Sequence, residues 1–384
     1  MSIKSSYYPH KSSQDLRASL VLFRLLSFPL LVRVAFVFWR FITFFRFPIT
    51  PFIRFTGYYQ FCAGKDVATC TAITSHMASF RVKSVLDYAN EHAISESDFD
   101  QNLEVILETI RVAATNDAYP FAVLKPTAIG SFSLFEKKSM GFKLNNTEMS
   151  AWKRIKNRLE SCAALAAQSE IVLMIDAEES WIQPAVDALI LPLLKRYNKE
   201  SVVLAITLQF YLKDTLSKYM TLSQNAQDYF LGVKFVRGAY MEKERKRAKT
   251  LALESPVCNT KMQTDKQFRQ ALEFALQHLK KQLCIVATHN EADIQWVKET
   301  CKQKGIPLHD DNLWFSQLYG MRDYISFSLA AKGAHVFKYV PFGPLRQSIP
   351  YLMRRALENS SVKSQTEKER KMLKQELVSR KINA

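Results

Sequence analysis

Gly232-Val-Lys-Phe-Val-Arg237-Gly-Ala-Tyr240 runs from a short β-branched stretch straight into a glycine turn and an aromatic residue. Residues 233–237 read as a strand. Seven similar runs flank it, at 82–87, 121–125, 171–176, 202–209, 284–289, 313–317 and 336–339. Longer helix-periodic stretches separate them, among them 131–168, 216–230 and 266–281. Strands alternating with helices read as repeated βα units, and eight such strands close a parallel barrel whose inside is filled by side chains. The expected fold is α/β: a distorted (βα)8 TIM-type barrel over residues 81–360, with an apolar, basic arm before it (1–80) and a basic C-terminal helix after it (361–384).

Nearly every run ends on a polar or charged residue: Asp87, Lys125, Asp176, Gln209, Arg237, His289, Gln317 and Tyr339. Barrel enzymes place their active sites at the carboxyl ends of the strands, so these exits are expected to share a site. A helix over 344–359 follows the last strand, with Pro344 at its first position. On it Tyr351, Arg354, Arg355 and Glu358 fall at i, i+3, i+4 and i+7, one helix face. Adjacent arginines offer two planar forks for a carboxylate. The plainer alternative is a solvated basic face with an Arg354–Glu358 ion pair. The helix's position directly after the eighth strand favours a role at the barrel mouth. Gly238 permits close backbone approach to a bulky ligand such as a planar ring system.

The 384 residues carry a net charge of +17, and its location matters more than its size. Residues 1–60 hold eight Lys/Arg against Asp15 alone, and residues 361–384 hold seven against three acids, so +11 of the +17 lies at the two ends. Basic, aromatic-rich ends suit an anionic membrane surface. Nucleic acid is not expected as a partner, because no helix-turn-helix, zinc-finger or RNP-like run is present. Residues 20–55 are rich in Phe, Leu and Val, yet Arg24, Arg33, Arg40, Arg46 and Arg54 interrupt them. A spanning helix needs roughly 20 uninterrupted apolar residues, so this arm is expected to lie in the interface rather than cross it. The segment 366–381 reads as a strongly polar helix and an extension outside the core. The six cysteines, at 62, 70, 162, 258, 284 and 301, form no CxxC and no zinc spacing, which suits buried thiols in a reducing compartment.

No GxGxxG, Walker loop, HExxH or GxSxG occurs, so any catalytic site must be assembled from strand ends. The stretches Ile175-Asp-Ala-Glu-Glu179, Tyr211-Leu-Lys-Asp-Thr215, Lys234-Phe-Val-Arg-Gly-Ala-Tyr240, Ala287-Thr-His-Asn290 and Gln317-Leu-Tyr-Gly-Met321 resemble the monofunctional proline dehydrogenase (proline oxidase) family. So does Val336-Phe-Lys-Tyr-Val-Pro-Phe-Gly343, continuing to Tyr351-Leu-Met-Arg-Arg-Ala-Leu-Glu-Asn-Ser360. The motifs come in the family's order across roughly residues 80–360; the terminal arms resemble it only loosely.

The resemblance implies FAD as cofactor, L-proline as substrate, 1-pyrroline-5-carboxylate as product and a membrane quinone as electron acceptor. It implies that Arg354, Arg355 and Lys125 bind the proline carboxylate. Tyr339, Tyr351 and Leu318 are then expected to line the ring pocket, Asp176 to lie behind it, orienting Tyr339 or an arginine, and Tyr240 to stand beside the substrate. Flavin contacts are expected at Gln209, Lys234, Val236, Gly238, Ala239, Thr288, His289, Asn290, Gln317 and Glu358, the last at a ribose. No metal is implied. Met241 departs from the larger aromatic that many relatives carry beside the adenine. Hydride transfer demands geometry more than acid–base power, because the flavin supplies the electronics. A phenol at Tyr339 occupies the room a ring hydroxyl needs, so proline is expected over 4-hydroxyproline. Three rival readings are a hydroxyproline dehydrogenase, a flavin barrel acting on folates, which lacks the arginine pair after strand eight, and a non-enzymatic basic membrane-binding module. The expected location is the cytoplasmic face of a bacterial inner membrane, or else the matrix side of the mitochondrial one.

Overall fold

The structure, a computed structural model, describes residues 7–28, 30, 34, 58–89, 93–361 and 363–382, with backbone alone at 346, 349, 350, 358–361 and 363–365. Eight strands are present: β1 (Val82–Tyr88), β2 (Phe121–Leu124), β3 (Val172–Ile175), β4 (Leu204–Gln209), β5 (Leu231–Val236), β6 (Gln282–Ala287), β7 (Leu313–Leu318) and β8 (His335–Phe342). They are ordered β1-β8-β7-β6-β5-β4-β3-β2, and every ladder is parallel. At the β1–β2 seam the Ser84 amide donates to the Ala118 carbonyl at 2.8 Å, so the ring is nearly closed. All eight expected strands are found. β8 runs three residues beyond its expected end. Pro341 has no N–H to give, but its carbonyl accepts from Ala63 at 3.0 Å, so the proline ends no strand there.

Side chains alternate across a strand, and here the alternation sorts core from shell. Val85, Phe121, Val123, Met174, Ala205, Leu283, Ile285, Trp314, Phe337 and Tyr339 form the cluster inside the barrel. The opposite phase packs under the helices in the larger outer core. Extending the inner phase by two residues reaches Asp87, Lys125 and Asp176 at the strand exits; Lys234 shares that phase on β5.

The expected helix 131–168 is two helices, Phe132–Ser139 and Asn146–Gln168. Gly141, at φ +77°, breaks the run, and Asn145 restarts it with a capping box closed by Glu148. All six cysteines are buried and unpaired. Among the described residues no helix is long and apolar enough to cross a membrane, and most of the apolar arm 20–55 lies outside them.

The C-terminal helix, Lys363–Ile382, corrects an expectation: it belongs to the core. It packs along the N-terminal helix Ser13–Leu26, and Leu373 is fully buried in the outer core. Thr366, Glu369 and Glu376 share that buried face. Glu369 accepts from the Tyr8 hydroxyl at 3.0 Å, while Arg380 donates to the Tyr8 and Lys11 carbonyls at 2.8 and 2.7 Å. The segment read as solvated because its inward face is built from glutamates, which are buried here only because each finds a donor.

Candidate active site

Three charged exits, one lysine from inside β5 and one phenol meet at the carboxyl end of the barrel. Lys125 pairs with Asp87 and stands 3.6 Å from Asp176. Lys234, rising from inside β5, pairs with the other oxygen of Asp176. The Tyr339 hydroxyl donates to Asp176 from β8. The Lys125 and Lys234 ammonium groups lie 5.6 and 4.6 Å from the Tyr339 ring centre. Two carboxylates and two ammoniums thus alternate around one aromatic ring. Burial by itself would raise Asp176, but Lys234 and Lys125 outweigh it and hold the carboxyl below its usual range. Asp87 goes the other way, because burial exceeds the pull of Lys125. Burial and the Asp176 charge push the Tyr339 phenol far above its ordinary value, so it stays a donor.

The β3 exit continues into a second acidic pair. The Glu178 carboxylate accepts from the Thr127 amide at 3.0 Å and from its hydroxyl at 2.5 Å. Glu179 pairs with Lys243. Tyr240, at the start of the helix Met241–Thr250, is raised well above its usual pKa by burial and by both glutamates, with Arg354 opposing them.

Helix Leu345–Ser361 leans over this mouth, tied down by Tyr58 donating to the Gly343 carbonyl at 3.0 Å and by Tyr88 donating to Gln347 at 3.3 Å. Tyr351 is buried, and the Arg355 guanidinium lies 5.3 Å from its ring centre. Arg354 acts on Tyr240, and Arg355 on His289, so the two arginines face different strand exits. The Glu358 side chain lies outside the described residues. Leu318 pairs in register with Tyr339 across the β7–β8 ladder.

On the other side of the mouth, Gln209 donates to the Glu178 carbonyl at 2.7 Å, and its oxygen is 3.4 Å from the Ala239 amide. Val236 is half-buried, and Gly238 and Ala239 are exposed. Gly238 takes φ +120°, and a Cβ there would fall 1.8 Å from the Tyr211 ring. Tyr211 therefore packs where a side chain at position 238 would sit, while the backbone there stays exposed. His289 accepts from the Leu318 amide at 3.0 Å through Nε2, and burial with Lys338, Arg322 and Arg355 nearby keeps the imidazole neutral. Thr288 accepts from the Asn290 amide at 3.1 Å, and Asn290 caps helix Glu291–Lys304.

Two exits are turned away from the mouth. Arg237 binds Asp293 at 2.5 Å and also Asp265, both on surrounding helices. Gln317 donates to the Thr288 carbonyl at 3.2 Å and accepts from Ser326 at 2.7 Å, so both ends of its amide are engaged by the protein. Both residues sit one position out of phase with the inward set, a signal that period-two counting carries. Asp87 is legible in the sequence as one of the polar exits, and Glu178 only as part of the 175–179 motif. A third charged group was missed altogether: Lys338, fully buried, binds Asp323 at 2.8 Å, and His10 and Lys11 reach the same carboxylate at 3.2 and 3.3 Å.

A parallel eight-stranded barrel with its ionised side chains gathered at the strand exits defines a (βα)8-barrel enzyme. Residues 71–368 match the family model described as proline dehydrogenase. The chain belongs to the proline dehydrogenase family, flavin-dependent oxidoreductases that act on proline. It is similar to the carbapenem antibiotics biosynthesis protein CarD of Pectobacterium carotovorum subsp. carotovorum, 36% identical over 321 residues, covering 83% of each chain. Proline dehydrogenase 1, mitochondrial, of Dictyostelium discoideum is 32% identical over 376 residues, covering 86% of this chain and 66% of its own. The human protein of that name is 37% identical over 233 residues, 59% of this chain and 39% of its own. Among solved structures, proline utilization A from Bdellovibrio bacteriovorus, inactivated by N-propargylglycine, superposes with a TM-score of 0.70 at 21% identity. It covers 79% of this chain and 32% of its own, and it shares the barrel fold.

Proposed function

We propose that the chain oxidises L-proline to 1-pyrroline-5-carboxylate with FAD bound over the β4–β7 exits, and passes the electrons to a membrane quinone. The observation that carries this reading is the Asp87–Lys125–Asp176–Lys234 ring at the strand exits, together with Arg354 acting on Tyr240 and Arg355 on His289 from the helix after β8. A small zwitterion suits that set of charges. Its carboxylate is held by Arg354, Arg355 and Lys125, and its ring packs against Tyr339, Tyr351 and Leu318, with Tyr240 alongside. The polar collar of Gln209, Lys234, Thr288, His289 and Asn290 beside the exposed Gly238–Ala239 backbone fits a planar, polar-edged ring system. When bound, the flavin accepts the hydride and needs no proton donor of its own from this chain. The residues supply position and charge, which hydride transfer between two bound molecules needs most. Purified protein is expected to be yellow, and anaerobic proline to bleach it. A colourless protein, or bleaching by a nicotinamide donor alone, would overturn the reading.

Substrate choice rests on Tyr339. Asp176 holds its hydroxyl, and two ammonium groups flank its ring, so the phenol has no freedom to move aside for a ring hydroxyl. Tyr339→Ser is expected to lower kcat/KM for proline roughly tenfold and to narrow the preference over 4-hydroxyproline by about 10²-fold. Equal use of both substrates by the unaltered enzyme would defeat the proposal.

The proposal extends to a membrane surface, either the cytoplasmic face of a bacterial inner membrane or the matrix face of the mitochondrial one; it is supported by the mitochondrial names of several relatives. Helix Ser13–Leu26 buries Leu16, Phe23 and Leu26 and turns Val21 and Leu25 outward, followed by exposed Phe28. Val21, Leu25 and Phe28 fall at i, i+4 and i+7, the spacing of an interfacial stripe. Sedimentation with anionic vesicles is expected to drop several-fold in Val21→Ser/Leu25→Ser/Phe28→Ser. Unchanged sedimentation would rule out this stripe as the contact.

A further inference from the structure

β7 ends at Leu318, and residues 318–321 form a turn that leads into helix Asp323–Ala331. The Met321 amide donates to the Leu318 carbonyl at 3.2 Å, and Gly320 takes φ +73° at the third of these four residues, where a type II turn favours glycine. Leu318 packs against the cluster inside the barrel, to which Tyr339 belongs, and is paired with Tyr339 across the ladder. Where Leu318 stands is therefore set by where this turn sits.

Neighbouring elements hold the backbone of the turn. His289 accepts from the Leu318 amide at 3.0 Å, and the Tyr339 carbonyl accepts from the Tyr319 amide at 2.9 Å. The Lys338 ammonium donates to the Leu318 and Met321 carbonyls at 3.3 and 2.6 Å. Those groups belong to β8 and the β6 exit. A further one comes from outside the ring of strands: the Gln60 side chain, in the short helix Tyr58–Phe61, donates to the Gly320 carbonyl at 2.7 Å. The approach is close, since a Cβ at Gly320 would fall 1.7 Å from the Gln60 carbonyl oxygen. Gln60 is itself oriented, because its side-chain oxygen accepts from the Ser19 hydroxyl at 2.9 Å and from the Lys11 ammonium at 3.4 Å. With the oxygen engaged by two donors from the N-terminal segment, the amide nitrogen faces the turn.

We propose, resting on the proline-oxidase reading, that Gln60 is a positioning residue for substrate binding. Its amide seats the 318–321 turn, and through it the N-terminal helix sets how closely Leu318 packs on the substrate ring. Gln60 acts through the turn and has no chemical part in the reaction. The arginines assigned to the substrate carboxylate stand on a different element, helix Leu345–Ser361. Loss of the Gln60 contact is therefore expected to weaken the grip on the ring and to leave the grip on the carboxylate. Tyr58, in the same short helix, ties helix Leu345–Ser361 down at the Gly343 carbonyl, so the test has to separate the two grips.

Two substitutions separate the donor from the anchor. Gln60→Glu keeps an acceptor for Ser19 and Lys11 but, once ionised, has no proton to donate to Gly320; Gln60→Met loses both at similar length. In the holoenzyme each is expected to raise the KM for proline about tenfold, with kcat changed by less than about twofold. Binding of a five-membered ring carboxylate with oxygen in place of the amine, read from the flavin spectrum, is expected to weaken by about as much. Acetate, which carries the carboxylate without the ring, is expected to bind within about twofold of its affinity for the unaltered enzyme. Equal weakening of both ligands would mean that the carboxylate grip has loosened, and would overturn the proposal. So would a Gln60→Glu enzyme that binds the ring ligand as the unaltered one does. Leu318→Ala supplies the coupling test. On that background Gln60→Glu is expected to raise KM by less than a further factor of about two, because the side chain it positions is gone. A full additional tenfold would show that Gln60 does not act through Leu318, and would also overturn the proposal. Failure of proline to bleach the unaltered protein would instead defeat the proline-oxidase reading itself, so the two failures are distinguishable.

Discussion

Arg354→Met and Arg355→Met are each expected to raise the KM for proline by roughly 10²-fold with a smaller change in kcat. The proposed partner is the substrate carboxylate, and losing one partner of a hydrogen-bonded charge pair in a desolvated site costs about 3 kcal/mol. The two should not behave alike. Arg355 stacks beside Tyr351 and acts on His289, so its loss also loosens the ring pocket and the β6 exit. Arg354 acts on Tyr240, so its loss also disturbs the β5 exit. Lysine at either position keeps the charge but not the planar fork, and is expected to restore about tenfold of the loss. Steady-state kinetics with proline, alongside flavin content, decide the matter. An unchanged KM in both methionine variants would return the pair to the solvated-face reading.

Asp323→Asn is expected to destabilise the protein by about 3–5 kcal/mol, the cost of leaving a buried charge without its partner. Lys338 is fully buried and binds Asp323 at 2.8 Å; among the described residues its other hydrogen bonds go to the Met321 and Leu318 carbonyls, at 2.6 and 3.3 Å. Lys11 and His10, from the N-terminal segment, lose the same anchor. Burial opposes the Asp323 charge, but Lys338 and Lys11 overcome it and hold the carboxyl well below its usual range. A depressed carboxyl contributes stability that is fully present above its unfolded value, about pH 4, and is lost as the pH falls through its folded value. The gap between wild type and Asp323→Asn is therefore expected to be full at pH 7 and to close as the pH drops below about 4. Guanidinium unfolding at several pH values measures it. Asp323→Asn/Lys338→Met should regain most of the loss, because it removes both buried groups rather than one. A gap below about 1 kcal/mol at pH 7 would show that the network does not hold the terminal segments.

The catalytic half of the molecule was the more legible, for a physical reason. Parallel strands buried on both faces must be apolar until they end, so their first polar residue marks the exit and the site together. Lys125, Asp176 and Tyr339 were found that way. The same rule picked up Arg237 and Gln317, which point outward, because a count of polar ends ignores the two-residue alternation that aims them. Asp87 was visible only as an exit; that it neutralises Lys125 depends on β1 closing the ring beside β2, a contact between segments far apart in sequence.

The terminal segments resisted reading because burial of charge has no local signature. Glu369 and Glu376 look like solvent-facing residues of a basic helix until Tyr7, Tyr8 and Arg322 are brought to them. Lys338 looks like an interruption in an apolar strand until Asp323 arrives from the next helix over. The amino-acid sequence by itself determined the eight strands, their polar exits and the family, because composition runs and motif order are properties of neighbouring residues. Only the tertiary structure decided which exits point inward, which charges cancel, and that the helices at 13–26 and 363–382 pack on each other. Each of those depends on distances across the ring, and no local pattern encodes them.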